Sequence, residues 1–195
     1  MGYISIIIII SSIIIVHELG HFLCAKMFHL PVKRFSFGFG PKLFSFRIGL
    51  TSFWWSLFPI GGYVLLAVKS EEEYFHISTG KRILFSLGGP FMNIFLAYLL
   101  LVLYALISSS PTVHTLVVQP FVNLAAIFIA ILKACASIFS HPEQLSGIVS
   151  IVSAGGTAIS QGAQNGLGIA IALSLNLAII NLLPLPVLDG GKIVL

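Results

Sequence analysis

Apolar positions dominate this 195-residue chain, and their spacing changes character along it. From Ile4 to Val16 the run is almost unbroken, and it continues through Leu19, Phe22, Leu23 and Ala25. At about 1.5 Å per residue such a helix crosses a hydrocarbon core of about 30 Å, so residues 1–28 are expected to form a first membrane span. Neither a basic segment ahead of it nor a small-residue cleavage site behind it marks a signal peptide, and a retained helix is expected. Between residues 31 and 69 the period falls to two. Phe35, Phe37 and Phe39 alternate, then Phe44, Phe46 and Ile48, which predicts strand. Gly38, Gly40, Pro41, Gly49, Pro59, Gly61 and Gly62 cut this segment into short pieces, as in a small hairpin or sheet.

The segment 31–69 is too apolar for a solvated loop. It is expected to associate with the membrane, where irregular backbone persists only if protein or a water-filled cavity satisfies it. "SEEEYFHISTGKR" is the one clearly polar stretch and reads as a solvated connector. A second span is expected over 83–107, ahead of "SSSPTVH". The apolar stretch 116–139 carries Gln119, Asn123 and Lys133, and could span or lie as an amphipathic helix on the outer face. Residues 146–166 are small and Gly-rich, suiting close helix packing or a bent surface segment. The last span covers 167–183, and its polar end carries the segment 167–195 through "NLLPLPVLDGGK". The fold class is therefore an α-helical polytopic membrane protein with three or more transmembrane helices. A small membrane-associated β element follows the first of them, all in a single domain, 1–195, without internal repeats.

Composition agrees. Hydrophobic residues make up 57% and charged residues 8%, against about a quarter charged in soluble proteins, and mean hydropathy is +1.06. The net charge of +4 matters less than its placement. Lys26, Lys33, Arg34, Lys42, Arg47, Lys69, Lys81 and Arg82 all lie between the first two apolar helices, which places that segment on the cytoplasmic side and the N-terminus outside. Topology and anionic lipid account for this basic cluster, so no nucleic-acid partner is expected. Cys24 and Cys135 sit in apolar surroundings and read as small buried hydrophobes rather than a disulfide.

Candidate chemistry begins at "HELGH" in the first span. His17 and His21, four apart on a helix, share a face and can reach one ion, while Glu18 can hold that ion's water without ligating it. Two imidazoles and one further protein ligand leave zinc an open position, where bound water ionises near pH 7 and a glutamate takes its proton. Ionisable groups inside an apolar span are costly and are usually functional. Of the six acidic residues, Glu71, Glu72 and Glu73 belong to the connector, Glu143 to the outer side, and Glu18 is already assigned. Asp189 remains as the third ligand. Helix polarity agrees, because the first and last spans, both entered from outside, deliver His17 and Asp189 to the same end. Pro184 and Pro186 break the helix before the aspartate and free it to turn toward an ion. A helix end with a proline stop and a glycine cap is the plainer alternative.

"HELGH", "FSFGFGP", "PIGGYV", "GGPFMN" and "NLLPLPVLDGG", in this order, resemble the site-2 protease family of intramembrane zinc metalloproteases, most closely its bacterial RseP type. The resemblance implies one Zn²⁺ per chain on His17, His21 and Asp189, with Glu18 as general base and Asn181 holding substrate or its oxyanion. It implies hydrolysis of a peptide bond within or near the transmembrane segment of a single-span or signal-like membrane protein, in regulated intramembrane proteolysis. The expected setting is a bacterial cytoplasmic membrane, with the site toward the cytoplasm. It makes the aromatic segment a β element that adds an unwound substrate as a strand, since a helical peptide hides its carbonyls until replacement bonds are offered. For Asn181, an amide donor aimed at a developing oxyanion is effective where water is scarce, although a hydrogen bond between helices is the alternative.

Asn93 is assigned a packing role beside Gly88, Gly89 and Pro90. Cys24 is expected to line the site without binding metal, and His29, His76, His114 and His141 to be ordinary polar residues. Two departures stand out. Only "SSSPTVH" and its neighbours fill the interval where RseP-type members carry PDZ domains, so none is expected, and the sequence stops at "DGGKIVL" where the family usually continues into another helix. A catalytically silent zinc-binding regulatory protein is the alternative function; a transporter is disfavoured by the lack of repeats.

Overall fold

The computed structural model of the protein describes residues 2–68, 70–108, 112–138 and 155–194. Helix α1 (Gly2–Met27) is followed by strands β1 (Val32–Ile48) and β2 (Thr51–Leu66), then a short helix α2 (Glu71–His76) and the long α3 (Thr79–Ser108). A π-helical turn, His114–Val118, leads into α4 (Gln119–Ile138), and α5 (Ala163–Asn181) and α6 (Asp189–Val194) complete the chain. Four helical segments are long and apolar enough to cross a membrane: Gly2–Met27, Thr79–Ile107, His114–Lys133 and Ala163–Asn181. Isoleucine-rich sequence is a mediocre helix former in water, but lipid offers no partner for a bare amide, so the backbone must satisfy itself. The stretch 116–139 is thus helical up to residue 138. Of the expectation for 146–166, residues 146–154 lie outside the described residues, as does the side chain of Cys135; residues 155–160 are helical, and Gly156 packs closely on α1, where a Cβ at Gly2 would lie 2.1 Å from the Gly156 carbonyl oxygen.

The chain divides into two compact units. One comprises Met1–Ile10 with Ile94–Ile179. Its core joins Ala97 and Leu101 of α3 to Ile171 and Leu175 of α5, with Leu124, Ile127, Phe128 and Ile131 of α4 packed on them. The other comprises Ser11–Asn93 with Ile180–Leu195, and it holds every residue discussed below as a site.

In this second unit α1 ends in a left-handed turn. His29 takes φ 58°, Leu30 N–H donates to the Ala25 carbonyl at 2.7 Å, and Leu30 and Ala25 are buried together. Backbone bonding and apolar contact of this kind form a Schellman stop. The chain turns straight into β1, whose Val32 joins Leu66 and Phe85 in the same core.

Strands β1 and β2 meet at a tight turn where Ile48 pairs with Thr51. They are longer than the punctuation suggested, because bulges absorb the glycines and prolines instead of ending the strands. Residues Arg34, Phe35, Ser36 and Phe37 face Leu65, Val64, Tyr63 and Gly62 on one side and Ser52, Phe53, Trp54 and Trp55 on the other. Gly38 and Gly40, both at φ 87°, supply the kink after this doubly paired stretch. Aromatic rings tie the layer to α1, with Phe22 edge-on to Phe35 at 5.4 Å and to Phe53 at 5.6 Å. Toward the turn the surface stays apolar yet uncovered: Leu43, Phe44, Ile48 and Leu50 are each at least 60% exposed. An exposed apolar patch of this composition marks a contact surface.

The polar connector does more than solvate. Ser70 caps α2 by accepting the Glu73 N–H, and Tyr74 and Ile77 pack on the core beneath. One turn of helix therefore presses its apolar side inward while Glu72 and Glu73 stay exposed.

Candidate metal centre

Three side chains from distant parts of the sequence converge in the second unit. His17 and His21 lie one turn apart on α1, and their Nε2 atoms are 3.2 Å from each other. Asp189 Oδ2 sits 3.0 Å from each of them. All three residues are buried, between 4% and 6% exposed.

Small residues make this convergence possible. Gly20 of α1 rests against Gly88 of α3, where an added Cβ would come within 2.1 Å of the Gly88 carbonyl oxygen. Phe85, Gly89 and Asn93 lie four apart on α3 and share a face. His21 Nδ1–H donates to the Phe85 carbonyl at 2.7 Å, and Asn93 lies against His17 Nδ1 at 3.2 Å. On the other side, α5 stops at Asn181 and the proline-rich turn runs through successive backbone bonds, Leu185 to Leu183 and Leu188 to Leu185. Gly190 and Gly191 let α6 fold onto that turn, since a Cβ at either would collide with the carbonyl oxygens of Leu183 or Leu185. Asp189, the first residue of α6, is thereby aimed at the histidines. Its other oxygen, Oδ1, accepts the Lys192 ammonium at 3.1 Å.

The donor set fits a small divalent ion. Tetrahedral bonds of about 2.0–2.1 Å place neighbouring nitrogen and oxygen ligands about 3.3 Å apart. The observed triangle is 3.0, 3.0 and 3.2 Å, and its three atoms belong to the residue types zinc accepts. Gly89 leaves the space beside the triangle open: a Cβ there would lie 2.4 Å from His21 Nε2 and 2.5 Å from His17 Nε2. Gly89→Ala is accordingly expected to weaken zinc binding by on the order of 100-fold, the upper end of what groups supporting a metal site contribute. Chelator competition on the purified protein checks this.

Glu18 is the next residue round α1, outside the triangle, and its carboxylate accepts the Val64 N–H of β2. Gly62 keeps that strand close, because an added Cβ would lie 3.2 Å from Glu18 Cγ. Cys24 lies a turn beyond His21, against Gly88, and is not part of the donor group among the described residues. Asn181 is half-buried at the end of α5 and makes no hydrogen bond to the three donors among the described residues. Asn93 and Lys192 touch the cluster directly, and the sequence reading gave neither that place. The four-residue spacing of Phe85, Gly89 and Asn93 is the one signal in the sequence that could have placed Asn93 on this face.

The family model described as "Peptidase family M50" matches residues 5–195. A protein of Thermotoga maritima described as "Putative zinc metalloprotease" is 39% identical over 110 residues, 51% of this chain and 22% of the relative. A Fusobacterium nucleatum protein of like description is 41% identical over 113 residues, covering 55% and 33%. One from Helicobacter pylori is 35% identical over 116 residues, covering 53% and 33%. The matched segment thus spans between a fifth and a third of these relatives' length.

Proposed function

We propose that this chain, which belongs to peptidase family M50, the site-2 proteases, is an intramembrane zinc endopeptidase that cleaves within or near the transmembrane segment of another membrane protein. One observation carries the reading: the imidazole nitrogens of His17 and His21 and a carboxylate oxygen of Asp189, 172 and 168 residues further along the chain, meet within 3.2 Å of one another and are buried. On this reading His17, His21 and Asp189 hold the ion. Zinc, when bound, supplies a Lewis acid that polarises the scissile carbonyl and brings the pKa of a coordinated water to about 7.

The remaining chemistry falls to the chain. Glu18 takes a proton from the attacking water as its oxygen bonds to the carbonyl carbon, then passes that proton to the departing nitrogen as the C–N bond breaks. Asn181 donates its amide N–H to the oxyanion once substrate draws the end of α5 toward it. Because Val64 N–H already meets Glu18, the Gly62–Leu66 part of β2 lies beside the base, and an extended peptide added to this sheet would pass the carboxylate. Lys26, Lys33, Arg34, Lys42 and Arg47 cluster in the same unit, which supports a site toward the cytoplasmic side of a bacterial inner membrane. A site on that side requires an even number of crossings between the end of α3 and the start of α5.

The test is cleavage of a single-span substrate in vesicles, with the cut located by mass spectrometry. Cleavage inside or next to the substrate's membrane segment is expected, lost with 1,10-phenanthroline and regained with added zinc. Zinc-loaded protein that cuts no such substrate would favour the silent zinc-binding reading.

A further inference from the structure

His17 and His21 stand in different surroundings on the side away from the cluster, and the difference has a chemical consequence. An imidazole that ligates through Nε2 carries its proton on Nδ1, and that N–H needs an acceptor. His21 has one in the Phe85 carbonyl. Against His17 Nδ1 stands the carboxamide of Asn93, which is 0% exposed. A carboxamide offers a donor at one end and an acceptor at the other, in nearly equal volumes.

With Nδ2 toward the ring Asn93 can only donate to Nδ1, which places the His17 proton on Nε2, the atom 3.0 Å from Asp189 Oδ2. That tautomer blocks ligation, because the lone pair zinc needs is occupied by a proton. We propose that Asn93 is the positioning residue that selects the His17 tautomer. A half-turn of its carboxamide brings Oδ1 to Nδ1, accepts the proton there, and frees Nε2. The proton moves from Nε2 to Nδ1 of the same ring, so the neutral imidazole gains and loses none overall. Metal loading is thereby coupled to the orientation of one buried amide on α3.

This rests on His17 being a ligand, and the experiment separates the two claims. Asn93→Asp keeps an acceptor and removes the donor; Asn93→Leu keeps the volume and removes both. Zinc dissociation constants are measured by chelator competition on the full chain in detergent, with helix content confirming that each variant folds. Asp is expected to hold zinc within about threefold of the parent or more tightly, and Leu to lose about 10- to 100-fold, the range for groups that orient a ligating histidine. In the zinc-loaded parent, proton–nitrogen NMR is expected to give a downfield Nδ1–H signal for His17, moving upfield in the Leu variant. Equal weakening in Asp and Leu, or no weakening in Leu, overturns the role of Asn93 while His17→Ala still abolishes binding. Zinc binding untouched by His17→Ala overturns the ligand reading itself and this inference with it.

Discussion

Replacing Glu18 with glutamine is expected to lower cleavage of a single-span substrate by about 10³-fold or more while the protein keeps one zinc per chain. Glutamine matches glutamate in shape, and its amide oxygen can still accept the Val64 N–H that joins α1 to β2. What it loses is the ability to take a proton from water and give it to the leaving nitrogen. A positioned acid–base group contributes about 10² to 10⁴ in rate, and here one residue serves both transfers. Single-turnover cleavage, paired with metal analysis of the same preparation, reads both arms. Equal rates for the two proteins would remove Glu18 from the mechanism; loss of zinc along with activity would make it a structural support of the site instead.

Asp189→Asn is the second large effect. The substitution keeps the outline of the side chain but replaces a charged oxygen ligand with a neutral amide, and it strips the Lys192 ammonium of its counter-charge. Structural zinc sites bind with about 10–16 kcal/mol, so one of four ligands accounts for about 2.5–4 kcal/mol, on the order of 10²- to 10³-fold in affinity. Weakening of that size is expected, with cleavage lost at zinc concentrations that saturate the parent. A change below threefold would mean that Asp189 lies beside the ion without holding it.

Much of this centre was legible in the sequence because helical period converts spacing into geometry. His17 and His21 had to share a face once α1 was a helix, and an acidic residue so scarce in this chain singled out Asp189. The motif could not reveal how Asp189 arrives. That depends on Gly190 and Gly191 folding α6 onto the turn at Leu183 and Leu185, a tertiary contact with no periodic trace. Nor could it reveal Asn93. An asparagine beside "GGP" looks like helix packing until Gly20 and Gly88 bring the two helices close enough for its amide to reach His17. The sheet was foreseen from its alternating aromatics, yet its strand lengths were not, since bulges are settled by pairing across strands rather than along one. The connector was read as solvated because its three glutamates conceal the inward face formed by Tyr74 and Ile77.

X-ray absorption at the zinc edge of the purified, zinc-loaded protein tests the shared premise most directly. Two imidazole nitrogens and protein oxygen at about 2.0–2.1 Å, at one zinc per chain, are the expected ligand set. A sulfur shell near about 2.3 Å, which would bring Cys24 into the site, or zinc well below one per chain, would contradict it.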